Sequence, residues 1–546
     1  MRGGFVVGAG VFVDEGRAAF LALVLRPVLD TLGLVWVCQL HTAVGTDVLG
    51  FFHVNSATPF HGSCHHGNII SMSVKQYDLV VVGAGSGQNV AVACADQYDW
   101  KVALVEKGPL GGTCLNRGCI PSKMIIHAAD VAEEIRSAEK FGIRAKIEAI
   151  DFAAVTRRAN EHVDAEAVAL EAGVQKHPKI DLYKGTAEFV RSKEVQVIST
   201  DGSEPVASIA GDRILIAAGA RPAIPPIPGL NDPAKLGSVE YWTSTEALRQ
   251  TKQPKSLIVI GGGYIAVELG HFYGALGTEV TVVEMLDRLV SREDDDVAQT
   301  FTRVFSEKYE VLLQHKVQSV AQDGQGQKSV VIEDAQGQTR ILTAEAILIA
   351  TGLRPNTDLL KLENTGVKTN DQGYIDVDEF MQTTEENVWA LGDIVGKAPF
   401  KHGANYEAQH IFWNLPFDKA QGKRKDGEKR AVDYTVMPHA IFSLPQVAGV
   451  GFTEREAVEK NLKFQISNLK YSQTGMGVAL GEEDGFVKFI IDPEENKILG
   501  CHILGPEAAT LLHEVVVAMT AGGDVGLIKN AIHIHPALAE VVRRAL

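Results

Sequence analysis

Two cysteines, Cys114 and Cys119, stand five positions apart in the run Gly111-Gly-Thr113-Cys114-Leu-Asn-Arg-Gly118-Cys119-Ile-Pro121-Ser-Lys123. A pair of thiols that can meet can carry two electrons by cycling between dithiol and disulfide. On a regular helix five residues rotate by about 500°, leaving the sulfurs ~140° apart. Direct bonding therefore requires a distorted turn, and Gly118 has the freedom to supply one. Pro121 suits the first position of a helix running through Met124–Ile135. That predicts Cys119 just ahead of the helix N-terminus, where the dipole stabilises a thiolate. The other reading, a buried or zinc-bound pair, needs two further ligands, and the local sequence offers only His127.

The elements around this pair follow from two glycine turns. The β-branched run Asp78–Val82 ends in Gly83-Ala-Gly85-Ser-Gly87-Gln88-Asn89, and an Ala-rich helical pattern follows. Such a turn brings backbone N–H groups and a positive helix end onto a pyrophosphate. The next strand, Val102–Val105, ends in Glu106, 21 residues after Gly85, where a carboxylate can accept from ribose hydroxyls. Gln88 occupies the sixth position of the pattern in place of a glycine, which loosens the expected helix–strand contact. The pattern recurs: Ser256–Ile260 leads into Gly261-Gly-Gly263-Tyr264-Ile-Ala266, and the strand Glu279–Val283 ends in Glu284, 21 residues after Gly263. Two exit strands, Ile214-Leu-Ile-Ala-Ala-Gly-Ala-Arg-Pro222 and Ile347-Leu-Ile-Ala-Thr-Gly352-Leu-Arg-Pro355, agree at seven of nine positions. Two turns, two equally spaced acids and two matching exits make an internal repeat. The chain is expected to bind two dinucleotides.

The 546 residues suit three or four packed units, and 45% hydrophobic residues suffice for large cores. A net charge of −16 argues against a nucleic-acid binder. Six sparse, irregularly spaced cysteines do not form a secreted disulfide framework. Residues 1–71 differ from the rest: seven charged side chains, no Lys, and five of the 17 His. Their apolar stretch Ala18–Leu25 is broken by Arg26, Pro27 and Asp30, well short of the ~20 residues a membrane span needs. Asp14, Glu15, Asp30 and Asp47 against three Arg do not make a transit peptide. Cys38-x2-His41 with His61-x2-Cys64 has zinc-like spacing, but the spacing alone assigns no metal. We read Met72 as the functional start and residues 1–71 as an atypical extension.

These motifs, spread over residues 75–546, resemble the class I flavoprotein disulfide reductases, the pyridine nucleotide-disulfide oxidoreductases. The resemblance implies an α/β protein: two nested Rossmann-like domains, for FAD (72–235 and 353–432) and NAD (236–352), and an α+β dimerisation domain (433–546). It puts the FAD pyrophosphate on Gly83, Gly85 and Gly87, with Gly112 and Thr113 nearby. Glu106 and Lys107 fall at the adenosine end, and Ala187 lies in the Lys184–Phe189 segment that approaches adenine. Val388-Trp-Ala-Leu-Gly392-Asp393 resembles the second flavin motif, with Asp393 on the ribityl chain. His402 and Glu407 match a segment lining the isoalloxazine. Lys123 and Glu268 pair beside the flavin, and Tyr264 covers the nicotinamide pocket, to which Gly261, Gly263, Glu284 and Gly352 also belong.

The tail His533-Ile-His535-Pro-Ala-Leu-Ala-Glu540 resembles the family's terminal signature, in which the His before Pro is the base and the Glu fixes its tautomer. In relatives it reaches the cysteine pair of the other subunit, which implies a homodimer with shared active sites, entered by the segment Pro438–Gly451. Cys114 is then the interchange thiol and Cys119 the thiolate facing the flavin. Glu284 would repel a 2′-phosphate and accept from a free 2′-OH, favouring NAD, although Arg288 lies four positions on and Ala266 replaces a glycine. The cysteine segment and Val-Val-Glu-Met resemble dihydrolipoyl dehydrogenase. Gly85-Ser-Gly-Gln-Asn89, Lys401-His-Gly-Ala-Asn-Tyr-Glu-Ala408 and Ala537 lean toward mycothione reductase.

The implied activity is oxidation of dihydrolipoyl groups by NAD⁺, or else NAD(P)H-driven reduction of a small disulfide such as mycothione. The non-enzymatic alternative is an assembly component. Implied partners are a 2-oxo-acid dehydrogenase or glycine cleavage complex, with no nucleic acid, no membrane and no metal. No lipoyl module precedes residue 72, and the charged run Asp418–Lys429 reads as a solvated loop. The implied location is the cytoplasm, or an organellar matrix in a eukaryote.

Overall fold

A computed structural model describes residues 73–230, 239–415 and 429–546, together with four strands inside the first 71 residues. Those strands, Val6–Gly8, Ala22–Asp30, Gly33–Leu40 and Val48–Gly50, form an antiparallel sheet in chain order, and residues 1–71 make a unit of their own. The zinc-like spacing falls on side chains outside the described residues, as does the run from Asp418 to 428. Among the described residues no group of three or more His, Cys, Asp or Glu is set to hold a metal ion. None of the described helices is long and apolar enough to cross a membrane.

In the unit from 72 to 546, the strand Lys75–Val82, apolar from Leu79 on, lies inside a seven-stranded sheet. Its parallel neighbours are Val102–Glu106 on one side, with Ile180–Lys184 beyond, and Pro205–Ile216 on the other. The short strand Val388–Ala390 returns from far down the chain to pair with Ile214–Ile216. All five residues of Val102–Glu106 are buried, the signature of a parallel strand covered on both faces. The second glycine turn follows the central strand of a like sheet, in the order Glu310–Leu312, Glu279–Val283, Ser256–Ile260, Ala346–Ile349, all parallel.

The repeat in sequence is thus a repeat in topology, and its exits meet. Ala220–Pro222 pairs antiparallel with Leu353–Pro355, which sets Arg221 opposite Arg354. Like charges opposed in this way are destabilising. Asp358 offsets them, taking Arg221 at 2.7 Å and Arg354 at 2.8 Å.

The last sheet is antiparallel, in the order His439–Ile441, Val447–Gly451, Lys497–Leu504, Phe486–Asp492, Gln465–Lys470, with the apolar helix Ala508–Thr520 against it. It is tied to the second dinucleotide unit by Lys488, 1% exposed, whose ammonium reaches Asp294 at 2.8 Å, Asp296 at 2.6 Å and Glu454 at 2.6 Å. Removing Asp294, the one fully buried carboxylate of the three, would leave a buried ammonium under-compensated, a costlier loss than breaking a surface pair.

Candidate active site

The redox segment forms two helices. Gly112–Arg117 carries Cys114 and stops at Gly118, and Cys119–Ser137 begins at Cys119 itself. The expected helix start at Pro121 is therefore corrected by two residues. Pro is equally tolerated in the third position, because the first turn of N–H groups has no intrahelical acceptor. A β-carbon at Gly118 would approach the Thr113 carbonyl oxygen to 2.9 Å, so this junction is closed to larger residues.

Cys119 is the first residue of its helix, and both cysteines are free thiols. The bond from the Cys114 thiol, and then the Lys123 ammonium, lower the Cys119 thiol to about 7 against the opposing effect of enclosure. The same bond and burial push Cys114 well up, opposed by Lys401 and Lys123. The pair is therefore polarised: Cys114 keeps its proton and Cys119 gives one up.

Lys123 is one helical turn on from Cys119. Its ammonium sits between the Glu268 oxygens at 2.8 and 2.7 Å and lies 4.7 Å from the Phe442 ring centre. Glu268, 5% exposed, also accepts from the Phe442 N–H at 2.8 Å, so strand His439–Ile441 feeds into the site. Cys119, Ile120, Lys123, Met124, His127, Arg158 and Phe442 line a cleft of about 500 Å³. Sequence reasoning missed Phe442 and Arg158. Phe442 lay inside the Pro438–Gly451 segment without a role, and Arg158 is an ordinary charge on the long helix Phe152–Gln175.

The first glycine turn meets the cysteine helix directly. A β-carbon on Gly112 would fall 2.7 Å from the Gly85 α-carbon, and the helices starting beside these glycines both lack a side-chain N-cap. Their unpaired N–H groups thus converge on a backbone-lined cradle, a fit for a pyrophosphate. Gly83 takes φ +105°, where a β-carbon would strike Ala217 O at 2.3 Å. Close helix–strand contact is carried by Gly87, whose β-carbon would meet that of Ala217 at 2.7 Å. Gln88 lines a groove with Val92, Leu170 and Val174.

Glu106 is buried, and its carboxylate accepts from the N–H groups of Ala84 and Gly108, both at 2.8 Å. It braces the turn and keeps lone pairs for a ribose. Lys107 and Thr113 are exposed beside it, whereas the Ala187 side chain is buried, leaving only its backbone to meet a ligand. Gly392 donates its N–H to buried Glu407 at 2.6 Å, and the Tyr434 hydroxyl donates to the other Glu407 oxygen at 2.7 Å. Asp393 is half-buried next to this brace, and burial raises its carboxyl. His402 bonds the Pro438 carbonyl at 2.7 Å and stacks on Phe400. These donors, acceptors and glycines suit FAD.

On the second unit, Gly261 takes φ +110° against Ala350 O, as Gly83 does against Ala217. Gly263 caps the helix Tyr264–Ala275 with no side chain, and Gly352, at φ +113°, faces open space. Tyr264, its ring 6.4 Å from that of Phe400, is raised to about 12 by burial and by Asp393, Glu268 and Cys119. Glu284 is buried, accepts from Leu286 N–H at 2.8 Å and crowds Gly262. Arg288 is engaged, with Asp287 at 2.9 Å and Asp295 at 3.1 Å. The residues fit a nicotinamide dinucleotide.

The two terminal histidines differ sharply. His533 is 7% exposed and held by Glu514 at 3.0 Å. His535 is 76% exposed, and its Nδ1 faces the Glu540 oxygens at 2.9 and 3.1 Å. Glu540 also accepts from the Ala537 N–H at 3.1 Å, and the His535 bond holds its carboxyl below the ordinary value. With the Nδ1 proton held there, Nε2 is presented outward as an acceptor.

Residues 77–409 match the family described as pyridine nucleotide-disulphide oxidoreductase, and residues 437–546 match its dimerisation domain. Mycothione reductase of Mycobacterium tuberculosis is 36% identical over 479 residues, covering 87% of this chain and 99% of the relative. Dihydrolipoyl dehydrogenase of Geobacillus stearothermophilus is 35% identical over 468 residues, covering 86% and 95%. Among solved structures, a Cu(II) complex of the HOCl-induced flavoprotein disulfide reductase RclA from Escherichia coli superposes with a TM-score of 0.74. It is 28% identical and covers 86% of this chain and 99% of that one.

Proposed function

Because the chain belongs to the pyridine nucleotide-disulphide oxidoreductase family, enzymes that work with FAD and NAD(P)H, we propose that it is a dihydrolipoyl dehydrogenase, oxidising dihydrolipoyl groups with NAD⁺. The observation that carries this choice is the dinucleotide end of the second unit. A buried Glu284 accepts from a 2′-OH and repels a 2′-phosphate, while Arg288, the nearby cation, is taken up by Asp287 and Asp295.

In this reading residues 72–235 and 353–432 hold FAD, 236–352 hold NAD, and 433–546 join two copies into a homodimer. A substrate thiolate attacks Cys114, and Cys119 leaves as a thiolate stabilised by its helix N-terminus and Lys123. His535 of the partner subunit takes the substrate's proton, with Glu540 beside it fixing the tautomer. FAD, when bound on these residues, would supply the two-electron chemistry that links the dithiol to the nicotinamide. Lys123 and Glu268 set the charge beside the ring, and Tyr264 shields the nicotinamide site from water.

A second reading, reduction of a small disulfide such as mycothione, is favoured by one observation. Its two sequence pointers, Ser86-Gly-Gln-Asn89 and the Lys401–Ala408 segment, hydrogen-bond to each other. Both segments are ones that the family resemblance assigns to the flavin, so the contact speaks for kinship with mycothione reductase and not for a substrate. Purified protein assayed for NAD⁺ reduction by dihydrolipoamide, and for NADH- and NADPH-driven reduction of mycothione and glutathione disulfides, separates the readings. The proposal expects the first to be fastest by a wide margin; faster mycothione reduction would replace it. Association with a 2-oxo-acid dehydrogenase or glycine cleavage complex is part of the proposal.

The nicotinamide site gives a separate prediction. Glu284→Ala should lower kcat/KM for NAD⁺ about ten- to a hundredfold, the scale of a lost charge-assisted hydrogen bond. It should raise the NADP⁺ to NAD⁺ ratio. Steady-state kinetics with both nucleotides check it, and an unmodified enzyme that prefers NADP⁺ would contradict it.

A further inference from the structure

Glu293 is a buried acid, 6% exposed, with no part in the steps above. It stands near the end of the loop between strand Glu279–Val283 and helix Asp295–Ser306, and that loop hangs on the second glycine turn. The Val290 N–H donates to the Gly262 carbonyl at 2.8 Å, and the Val290 carbonyl accepts from the Glu293 N–H at 2.9 Å. Val290 takes φ +44°, a left-handed conformation that a β-branched residue keeps only where its surroundings hold it. The Glu293 carboxylate meets His439 Nε2 at 2.8 Å. A carboxylate shut away from water is costly without a charged partner, so this contact is an ion pair with the imidazolium. Burial works against the charge on His439, but the charge and hydrogen bond of Glu293 outweigh it and raise the imidazole above its ordinary value.

His439 opens strand His439–Ile441, so the pair joins the nicotinamide unit to the entry of the dimerisation domain. Its ring lies 6.2 Å from that of Phe400, at an interplanar angle of 15°. Phe400 in turn stacks at 5.4 Å on His402, and its ring stands 6.4 Å from that of Tyr264. Rings at these separations constrain one another's orientation, so Phe400 links His439 to Tyr264. Among the described residues, the titratable groups facing His439 are Glu293, Glu456 on helix Glu454–Glu459, His402 on helix Lys401–Asn414, and His502 on strand Lys497–Leu504. Asp294, next to Glu293, is already taken by Lys488 and by the Glu454 N–H at 3.0 Å. His502 shares with His439 the space over Gly449, where an added β-carbon would lie 2.9 Å from His502 Nδ1 and 2.7 Å from His439 Cε1. His502 Nε2 bonds the Phe452 carbonyl at 2.9 Å, and burial lowers that ring below its ordinary value, so the charge there rests on His439.

We propose that Glu293 and His439 are a positioning pair for nicotinamide binding: by fixing the His439 ring they fix Phe400, and Phe400 holds Tyr264 over the nicotinamide pocket. This rests on the reading of Tyr264 as the cover of that pocket. The sign of the pH dependence follows from the raised imidazole. It is protonated below its raised value and loses its charge as pH rises through it, so the pair is intact on the acid side and the cover loosens on the alkaline side.

The test is electron transfer from NADH through the flavin to ferricyanide, with kcat and KM for NADH followed as pH rises. In the unmodified protein KM should rise about three- to tenfold across the His439 titration, the scale of one aromatic contact, while kcat changes by less than about twofold. His439→Gln keeps a hydrogen-bond donor but no titrating charge, so its KM should be high already at neutral pH and level thereafter. Glu293→Gln should behave alike. In a Tyr264→Ala background, adding His439→Gln should leave KM within about twofold, because the path to the pocket is already cut. A level KM in the unmodified protein, the same rise with pH in His439→Gln, or a full further increase in the Tyr264→Ala background overturns the proposal. Should neither variant of the pair fold, Tyr264→Ala alone carries the test: its KM should be level with pH, and an unchanged rise overturns the proposal. The route uses no thiol substrate, so a failed dihydrolipoamide assay beside the expected profile would retire the substrate reading alone.

Discussion

Replacing Cys119 with serine is expected to leave a folded, flavin-containing protein whose dithiol-driven NAD⁺ reduction falls by at least about a thousandfold, the scale of losing a reacting group. The same variant should lose the long-wavelength absorption that the unmodified enzyme develops on partial reduction. The reason is electrostatic. Cys119 starts a helix, and a hydrogen bond accepted from the Cys114 thiol, with the Lys123 ammonium, brings its own thiol down to about 7. A serine hydroxyl in the same place remains protonated and has no charge to offer the flavin. The sign of the pH dependence follows: a thiol lowered to about 7 is thiolate above that pH and protonated below it. The band of the unmodified enzyme should therefore grow as pH rises through about 7. Anaerobic spectra on either side of that pH check both statements. A band that survives in Cys119→Ser would mean that the two sulfur roles are exchanged.

The second large effect is expected at His535. Its ring is exposed, and Glu540 fixes which nitrogen carries the proton, so Nε2 is free to accept one from a thiol. His535→Gln should lower kcat/KM for dihydrolipoamide about 10²- to 10⁴-fold, the range for a lost general base. Electron transfer from NADH through the flavin to ferricyanide should be nearly unchanged, because that route moves no thiol proton. Glu540→Gln should give a smaller loss of the same kind. Co-expressed Cys114→Ser and His535→Gln subunits add a test of geometry. If the tail of one subunit serves the cysteines of the other, each mixed dimer contains one intact site, and activity returns. If each subunit serves itself, the mixture stays inactive. His533, buried against Glu514, should tolerate substitution without this pattern.

The parts of this site that were legible in the sequence are those made by short stretches of backbone. The turns at Gly83 and Gly261 need positive φ beside a carbonyl, so glycine marks them, and the acid 21 residues on marks the next strand end. The cysteine spacing and the Gly118 break are local in the same way. The Pro121 signal was misread because the first three positions of a helix are equally free of hydrogen-bond demand.

Distant pairings were legible only through resemblance or not at all. Lys123 finds Glu268 across 145 positions, and Phe442 reaches that same carboxylate across 174. Nothing in local periodicity links Lys401 to Ser86, 315 positions apart, although each sat in a motif that drew notice. The matching exit strands were visible as a repeat, but their antiparallel pairing through Arg221 and Arg354 was not. Arg288 looked like a cation available to a phosphate until the start of the helix Asp295–Ser306 put Asp295 against it.

The most direct test of the relay is an anaerobic reductive titration of the flavin-loaded protein with thiol counting. The account predicts a yellow protein that takes up four electrons per subunit, two for the cysteine pair and two for the flavin, with two new thiols appearing at Cys114 and Cys119. A sample that stays colourless when supplied with FAD, or one that takes up only two electrons and exposes no new thiols, would contradict it.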